Sequence, residues 1–129
     1  MTSTRSTGNG RASSQQDFGR FGEQCAADWY REAGYEILAR NWRCARGELD
    51  LIAANDEFVV FVEVKARSSA RFGSGADAVD WRKQRKVRAI ASQWLEQRPE
   101  SDRSYFEELR FDVVDVDAQG TLQVYEGCF

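Results

Sequence analysis

Residues 47–67 read GELDLIAANDEFVVFVEVKAR. Two apolar runs flank Asn55-Asp56, a pattern that predicts a β-hairpin. Inside those runs stand Asp50, Glu63 and Lys65, surrounded by Leu, Ile, Val and Phe. Ionised side chains are costly to bury and rarely sit centrally in a strand without a partner. With Asn55-Asp56 as a two-residue turn, Ala54 faces Glu57 and Asp50 faces Phe61, one diagonal step from Glu63. Side chains alternate with a period of two, so this parity puts Asp50 and Glu63 on one face. That face reads Val59, Phe61, Glu63, Lys65, Arg67 on one strand and Glu48, Asp50, Ile52 on the other. The reverse face reads Val60, Val62, Val64, Ala66 with Leu49, Leu51, Ala53, a continuous apolar surface. The charged end, away from the turn, is either merely solvated or a convergence of carboxylates on a cation.

Upstream, residues 17–33 space Phe18, Phe21, Cys25 and Trp29 at three- and four-residue steps, one apolar face of a helix. Asp17 is its expected N-cap and Gly34 its terminator. Gly19 and Gly22 each disfavour a helix by up to about 1 kcal/mol, which implies a close approach to other backbone or a frayed first turn. A strand follows at 35–43, then the turn-like CARG. Downstream, the Ser/Gly-rich residues 68–77 read as a loop. A second helix at 78–97 carries Val79, Val87, Ile90, Ala91, Trp94 and Leu95 on one side, and Pro99 and the acidic ESDRSYFEE end it. LRFDVVDV and TLQVYE, joined by DAQG, complete the chain as two strands. Residues 1–16, rich in Ser, Thr and Gly, read as a disordered tail. The order predicted for residues 17–129 is helix, three-strand meander, helix, two strands. That describes one α/β domain with a mixed five-stranded sheet flanked by helices.

Composition narrows the chemistry. The 129 residues carry a net charge of −3, which argues against coating nucleic acid through bulk charge. The three cysteines are widely spaced and there is no histidine. A thiolate–imidazole zinc site, a disulfide framework and Ser-His-Asp or Cys-His catalysis are therefore disfavoured. Reduced cysteines fit a cytoplasmic protein. No window approaches the roughly 18 apolar residues of a membrane span. Any catalysis rests on carboxylates, lysines or an oxygen-bound metal.

Two carboxylates on adjacent strands, with cross-strand neighbours about 5–8 Å apart, suit one hard divalent cation. Lys65, two residues after Glu63, points the same way and is placed to steady a phosphoryl oxygen or a water. Lys83 falls on the apolar side of the second helix, where it either snorkels to the surface or reaches across the sheet toward a phosphate. Around it, WRKQRKVR holds five basic residues in eight. Arg82, Arg85, Lys86 and Arg88 spread around that helix. With Arg40, Arg43, Arg46, Arg67 and Arg71 they are either a track for a nucleic-acid backbone or a solvated surface. Trp42, Trp81 and Trp94 are expected in core or interface packing rather than in base stacking.

Asp50 followed thirteen residues later by Glu63-Val64-Lys65 resembles the PD-(D/E)xK nuclease superfamily. The longer match is more specific: GRFGEQCAADWYREAGYEILARNWRCARGELDLIA, FVEVKAR, AVDWRKQRKVRAIASQWL and RFDVV resemble the small bacterial YraN family over about residues 17–129. The resemblance implies a restriction-endonuclease-like fold akin to archaeal Holliday-junction resolvases. It implies a Mg²⁺- or Mn²⁺-dependent endonuclease acting on DNA, branched or single-stranded forms included. Asp50, Glu63 and the Val64 carbonyl would be metal ligands, Lys65 the catalytic lysine, and Glu23 on the first helix a further catalytic carboxylate. Glu23 has a plainer reading as a solvated helix residue. Glu48 is either a supporting group or an exposed partner of Arg67. Arg43, Arg46, Arg67, Lys83 and Lys86 are the expected DNA contacts. The alternative is a domain of the same fold that binds nucleic acid or serves as a scaffold without cutting. Homodimerisation, or dependence on a protein partner, fits either.

Overall fold

The computed structural model describes residues 14–67, 81–98 and 108–129. The expected loop at 68–77, with Arg71, residues 78–80 of the expected second helix, with Val79, and Pro99 lie outside the described residues, as do residues 1–13. The elements follow the expected order: α1 (Ser14–Glu32), β1 (Glu36–Cys44), β2 (Gly47–Ala54), β3 (Phe58–Ala66), α2 (Trp81–Gln97), β4 (Glu108–Val116) and β5 (Leu122–Tyr125). Helix α1 begins three residues before Asp17, which therefore lies in its first turn rather than capping it.

The five strands form one mixed sheet in the order β1-β2-β3-β4-β5. The β3–β4 pair is parallel and the other three pairs are antiparallel. Strands β3 and β4 are covered on both faces and read accordingly as nearly unbroken apolar runs. On one face Leu51, Ala53, Val60, Val62, Val114 and Val116 pack beneath Ala26, Ala27 and Tyr30 of α1. On the other, Ile52, Phe61 and Phe111 pack beneath Val87, Ile90, Ala91 and Trp94 of α2.

Gly22 shows why α1 tolerates a glycine. A Cβ there would stand 3.1 Å from the Ala66 Cβ, so the helix backbone lies almost on the sheet. Among the described residues a Cβ at Gly19 would meet nothing within 4 Å, and their packing gives no reason for it.

The hairpin register departs from expectation by two residues. Ala54 pairs with Val59, and Leu51 with Val62. The Asn55 side chain makes the difference. Its Oδ1 accepts hydrogen bonds from the Glu57 and Phe58 amides at 2.9 and 2.7 Å, closing a longer turn than Asn55-Asp56 alone. A shift of two preserves parity along β3, so Glu63 keeps the face of Phe61 under α2. The apolar face was not continuous as expected, because Leu49 packs under α2 while Leu51 and Ala53 pack under α1. Alternation along β2 therefore breaks at Asp50, although the register with β1 is unshifted there.

Candidate active site

Asp50 stands where the sheet is irregular on both sides. Pairing of β2 with β3 stops at Leu51. On the β1 side Arg40 pairs with Leu51 and Trp42 with Leu49, and the intervening Asn41 has a φ of 52°. A left-handed residue inside a strand is strained, and asparagine is among the residues that bear it best. In place of a regular ladder bond, the Val64 amide donates to Asp50 Oδ2 at 2.8 Å. The Asp50 side chain thus spans from β2 to the backbone of β3.

That carboxyl is raised from 3.8 to about 7, first by burial and then by Glu63, Glu23 and Glu48, while the Val64 N–H opposes the rise. Glu23 is therefore close enough to Asp50 to act on it electrostatically, because α1 lies so near the sheet at Gly22. Glu48 contributes as well, but its ion partner is Arg43, at 3.6 Å, and not Arg67.

Glu63 lies under α2, where the Lys83 ammonium meets its carboxylate at 3.0 Å. Lys83 thus reaches over the sheet, but toward an acid of the site. Lys65 shares the face of Glu63 by strand alternation, since Val62 and Val64 turn toward α1. Its side chain makes no hydrogen bond or ion pair among the described residues. Arg67 continues the same row and contacts Asp115 of β4 at 3.3 Å. All of these groups lie toward the C-terminal ends of the parallel pair β3 and β4, where open α/β sheets bind their ligands.

The remaining basic residues do not form one track. Arg40 bonds Gln24 of α1 at 3.1 Å. Arg46 lines a groove of about 460 Å³ on the outer side of α2 with Ser92 and Glu96. Lys86 lies over Gly47, whose φ of 141° keeps a side chain from that point. Arg82 and Arg85 flank the Trp81 ring at 5.5 and 5.0 Å. Arg88 covers Phe111 at 4.7 Å. Trp42 and Trp94 pack in the α2 layer as expected, whereas Trp81 is 59% exposed. All three cysteines are free.

The donor set suits a hard divalent cation: carboxylate and carbonyl oxygens, with mutual repulsion that a positive charge would relieve. Among the described residues no three acidic or thiol side chains stand together as a ready metal cage. Asp50 and Glu63 are brought together; Glu23 approaches without completing a cage. Two features were missed from sequence. Asn41 gave no signal, but Asp115 did, as a charge in the Val-rich FDVVDVD with the parity of Phe111.

A three-layer α/β/α sheet protein with acids and a lysine at the ends of its parallel strands defines the class. The chain belongs to the uncharacterised protein family UPF0102, whose family model matches residues 22–116. A UPF0102 protein of Parafrankia sp. (strain EAN1pec) is 46% identical over 111 residues, covering 84% of this chain and 91% of the relative. One of Mycolicibacterium vanbaalenii is 47% identical over 103 residues, covering 80% and 82%. One of Clostridium botulinum (strain 657 / Type Ba4) is 43% identical over 101 residues, covering 78% and 80%. No helix among the described residues is long and apolar enough to cross a membrane.

Proposed function

We propose that this protein is a Mg²⁺- or Mn²⁺-dependent endonuclease of PD-(D/E)xK type that hydrolyses phosphodiester bonds in cytoplasmic DNA. The observation that carries the reading is Asp50, a carboxyl raised to about 7 by burial and by Glu63, Glu23 and Glu48, and bonded across to the strand that holds Lys65. A perturbed acid among other carboxylates at the strand ends is a mark of a functional site.

Asp50, Glu63 and the Val64 carbonyl are the groups that would hold the cation, with Glu23 beside them. The cation would lower the pKa of a water and offset charge on the phosphoryl oxygens. Asp50 offers Oδ1, because Oδ2 already accepts the Val64 N–H. Lys83 keeps Glu63 neutralised at rest and, once displaced from it, is positioned to pair with a phosphate. Lys65 holds a proton on Nζ for a non-bridging oxygen as negative charge builds there.

The Glu63–Lys83 pair and the lack of a three-acid cage among the described residues favour a second reading, a nucleic-acid-binding or scaffold domain that does not cut. Exposed Phe21, Trp81 and Leu109 offer surface for a homodimer or another protein under either reading. The test is nicking of labelled linear, flapped and four-way DNA with Mg²⁺ or Mn²⁺, comparing wild type with folded Asp50→Ala and Lys65→Ala. Cleavage lost in both variants supports the nuclease. DNA binding without cleavage by any form supports the second reading.

A further inference from the structure

Strand β4 runs into its turn through FDVVDVD, and its three aspartates, all buried, are held differently. Asp112 is fully satisfied. It accepts from Tyr30 Oη at 2.6 Å, from Arg110 Nε and Nη2 at 2.9 Å each, and from the Gly127 amide at 3.0 Å. Asp117 closes the turn to β5, accepting from the Gln119 and Thr121 amides at 2.9 Å. Asp115 is 0% exposed, yet among the described residues its Oδ1 meets only Arg67 Nε, at 3.3 Å, and its Oδ2 has no partner.

A buried carboxylate held by one long bond is a poor structural device. Buried acids kept for stability have both oxygens satisfied, as Asp112 does, and an orphaned oxygen calls for a functional account. Asp115 also pairs in register with Lys65 across the parallel ladder and faces the α2 side with it. The Arg67 guanidinium is its ion partner and is held beside β4 by this contact. The grip is on Nε, which leaves the two terminal nitrogens of the guanidinium outside this bond. Those two nitrogens form the fork that matches two oxygens of a phosphate. The Arg67 side chain is 34% exposed, so the fork can be reached from solvent.

We propose that Asp115 is a positioning residue that presents Arg67 as a bidentate clamp for one phosphate of a nucleic-acid backbone, beside Lys65. The proposal rests on the nucleic-acid reading above and adds the residue pair that fixes where the strand lies. The two possible effects of removing Asp115 have opposite signs. By Coulomb's law alone, deleting a negative charge beside an anion site strengthens anion binding. If Asp115 orients the clamp, deleting it weakens binding.

The experiment is binding of fluorescent four-way and linear DNA, without divalent cations, across a salt series. Wild type runs beside Asp115→Asn, Arg67→Ala, the double variant and Arg67→Lys, each checked by circular dichroism. Asp115→Asn and Arg67→Ala should each weaken binding about tenfold, the worth of a charge-assisted bidentate contact. Each should lower the slope of log K against log salt by about 0.9, one phosphate. The double variant should bind no worse than Arg67→Ala. Arg67→Lys keeps the charge without the fork, so it should bind like Arg67→Ala, and it carries the test if Asp115→Asn does not fold. Unchanged or tighter binding by folded Asp115→Asn, or wild-type binding by Arg67→Lys, overturns the clamp and leaves the nucleic-acid reading standing. Failure of wild type to bind either DNA overturns both.

Discussion

Replacing Asp50 with asparagine should stabilise the metal-free protein, by an amount that depends on pH. Asparagine keeps an oxygen for the Val64 amide and removes only the charge. The Asp50 carboxyl is raised from 3.8 to about 7, so the folded protein holds this proton more tightly than the unfolded chain does. Below about pH 4 both states are protonated and the site carries no penalty. As pH rises toward 7 the unfolded chain loses its proton first and the folded state loses stability; above 7 the full penalty persists. A rise of about three units corresponds to about 4 kcal/mol, and residual hydration of a half-buried group brings this to about 2–4 kcal/mol. Urea denaturation in EDTA between pH 4 and 8 reads the difference directly. Asp50→Asn should match wild type near pH 4 and exceed it by about 2–4 kcal/mol at pH 8. Adding Mg²⁺ at pH 8 should raise wild type toward the variant and leave the variant unmoved. Parallel pH profiles, or a variant less stable at pH 8, would refute the assignment of Asp50 as a destabilised anion.

Other perturbations have comparable readouts. Tyr30→Phe removes a 2.6 Å donor from buried Asp112 and should cost about 1–3 kcal/mol by urea denaturation, with no change in any DNA binding. Gly22→Val puts branched carbon where a Cβ already stands 3.1 Å from the Ala66 Cβ, and should destabilise by about 1–3 kcal/mol while reducing the influence of Glu23 on Asp50. Lys83→Ala releases Glu63 from its 3.0 Å partner and should tighten Mn²⁺ binding several-fold by calorimetry while weakening DNA binding. Phe61→Ala, which empties the space against Trp94 and Phe111, should cost about 3–5 kcal/mol and shift the thermal midpoint accordingly.

Order and type of the elements were legible because helix and strand periods differ so clearly in this chain. The register error was two residues, so parity kept Glu63 on its expected face, whereas Asp50 sits where alternation breaks. Its cause, the Asn55 side chain bonding two following amides, is invisible in a dipeptide that also suits a two-residue turn. Leu49 was misplaced because alternation breaks at Asp50, opposite the left-handed Asn41, and leucine suits either face. Whether the basic helix is a track or a solvated face was left open because composition does not record direction. Helical spacing sends Lys83 to Glu63, Lys86 over Gly47 and Arg88 to Phe111. Asp115 was visible as a charge in an apolar run, but its neighbour was not, because Lys65 is brought to it by a parallel pairing between segments 50 residues apart.

That same pairing bears on the order in which the chain can acquire its properties. The meander β1-β2-β3 is local, and short separations close quickly, whereas bringing β4 beside β3 requires a long loop to close. Until then Arg67 has no Asp115, and the Tyr30 hydroxyl has no Asp112. The groups that act on Asp50 come from β2, β3 and α1, so its site can assemble before β4 docks, whereas the buried ion pairs of Asp112 and Asp115 cannot.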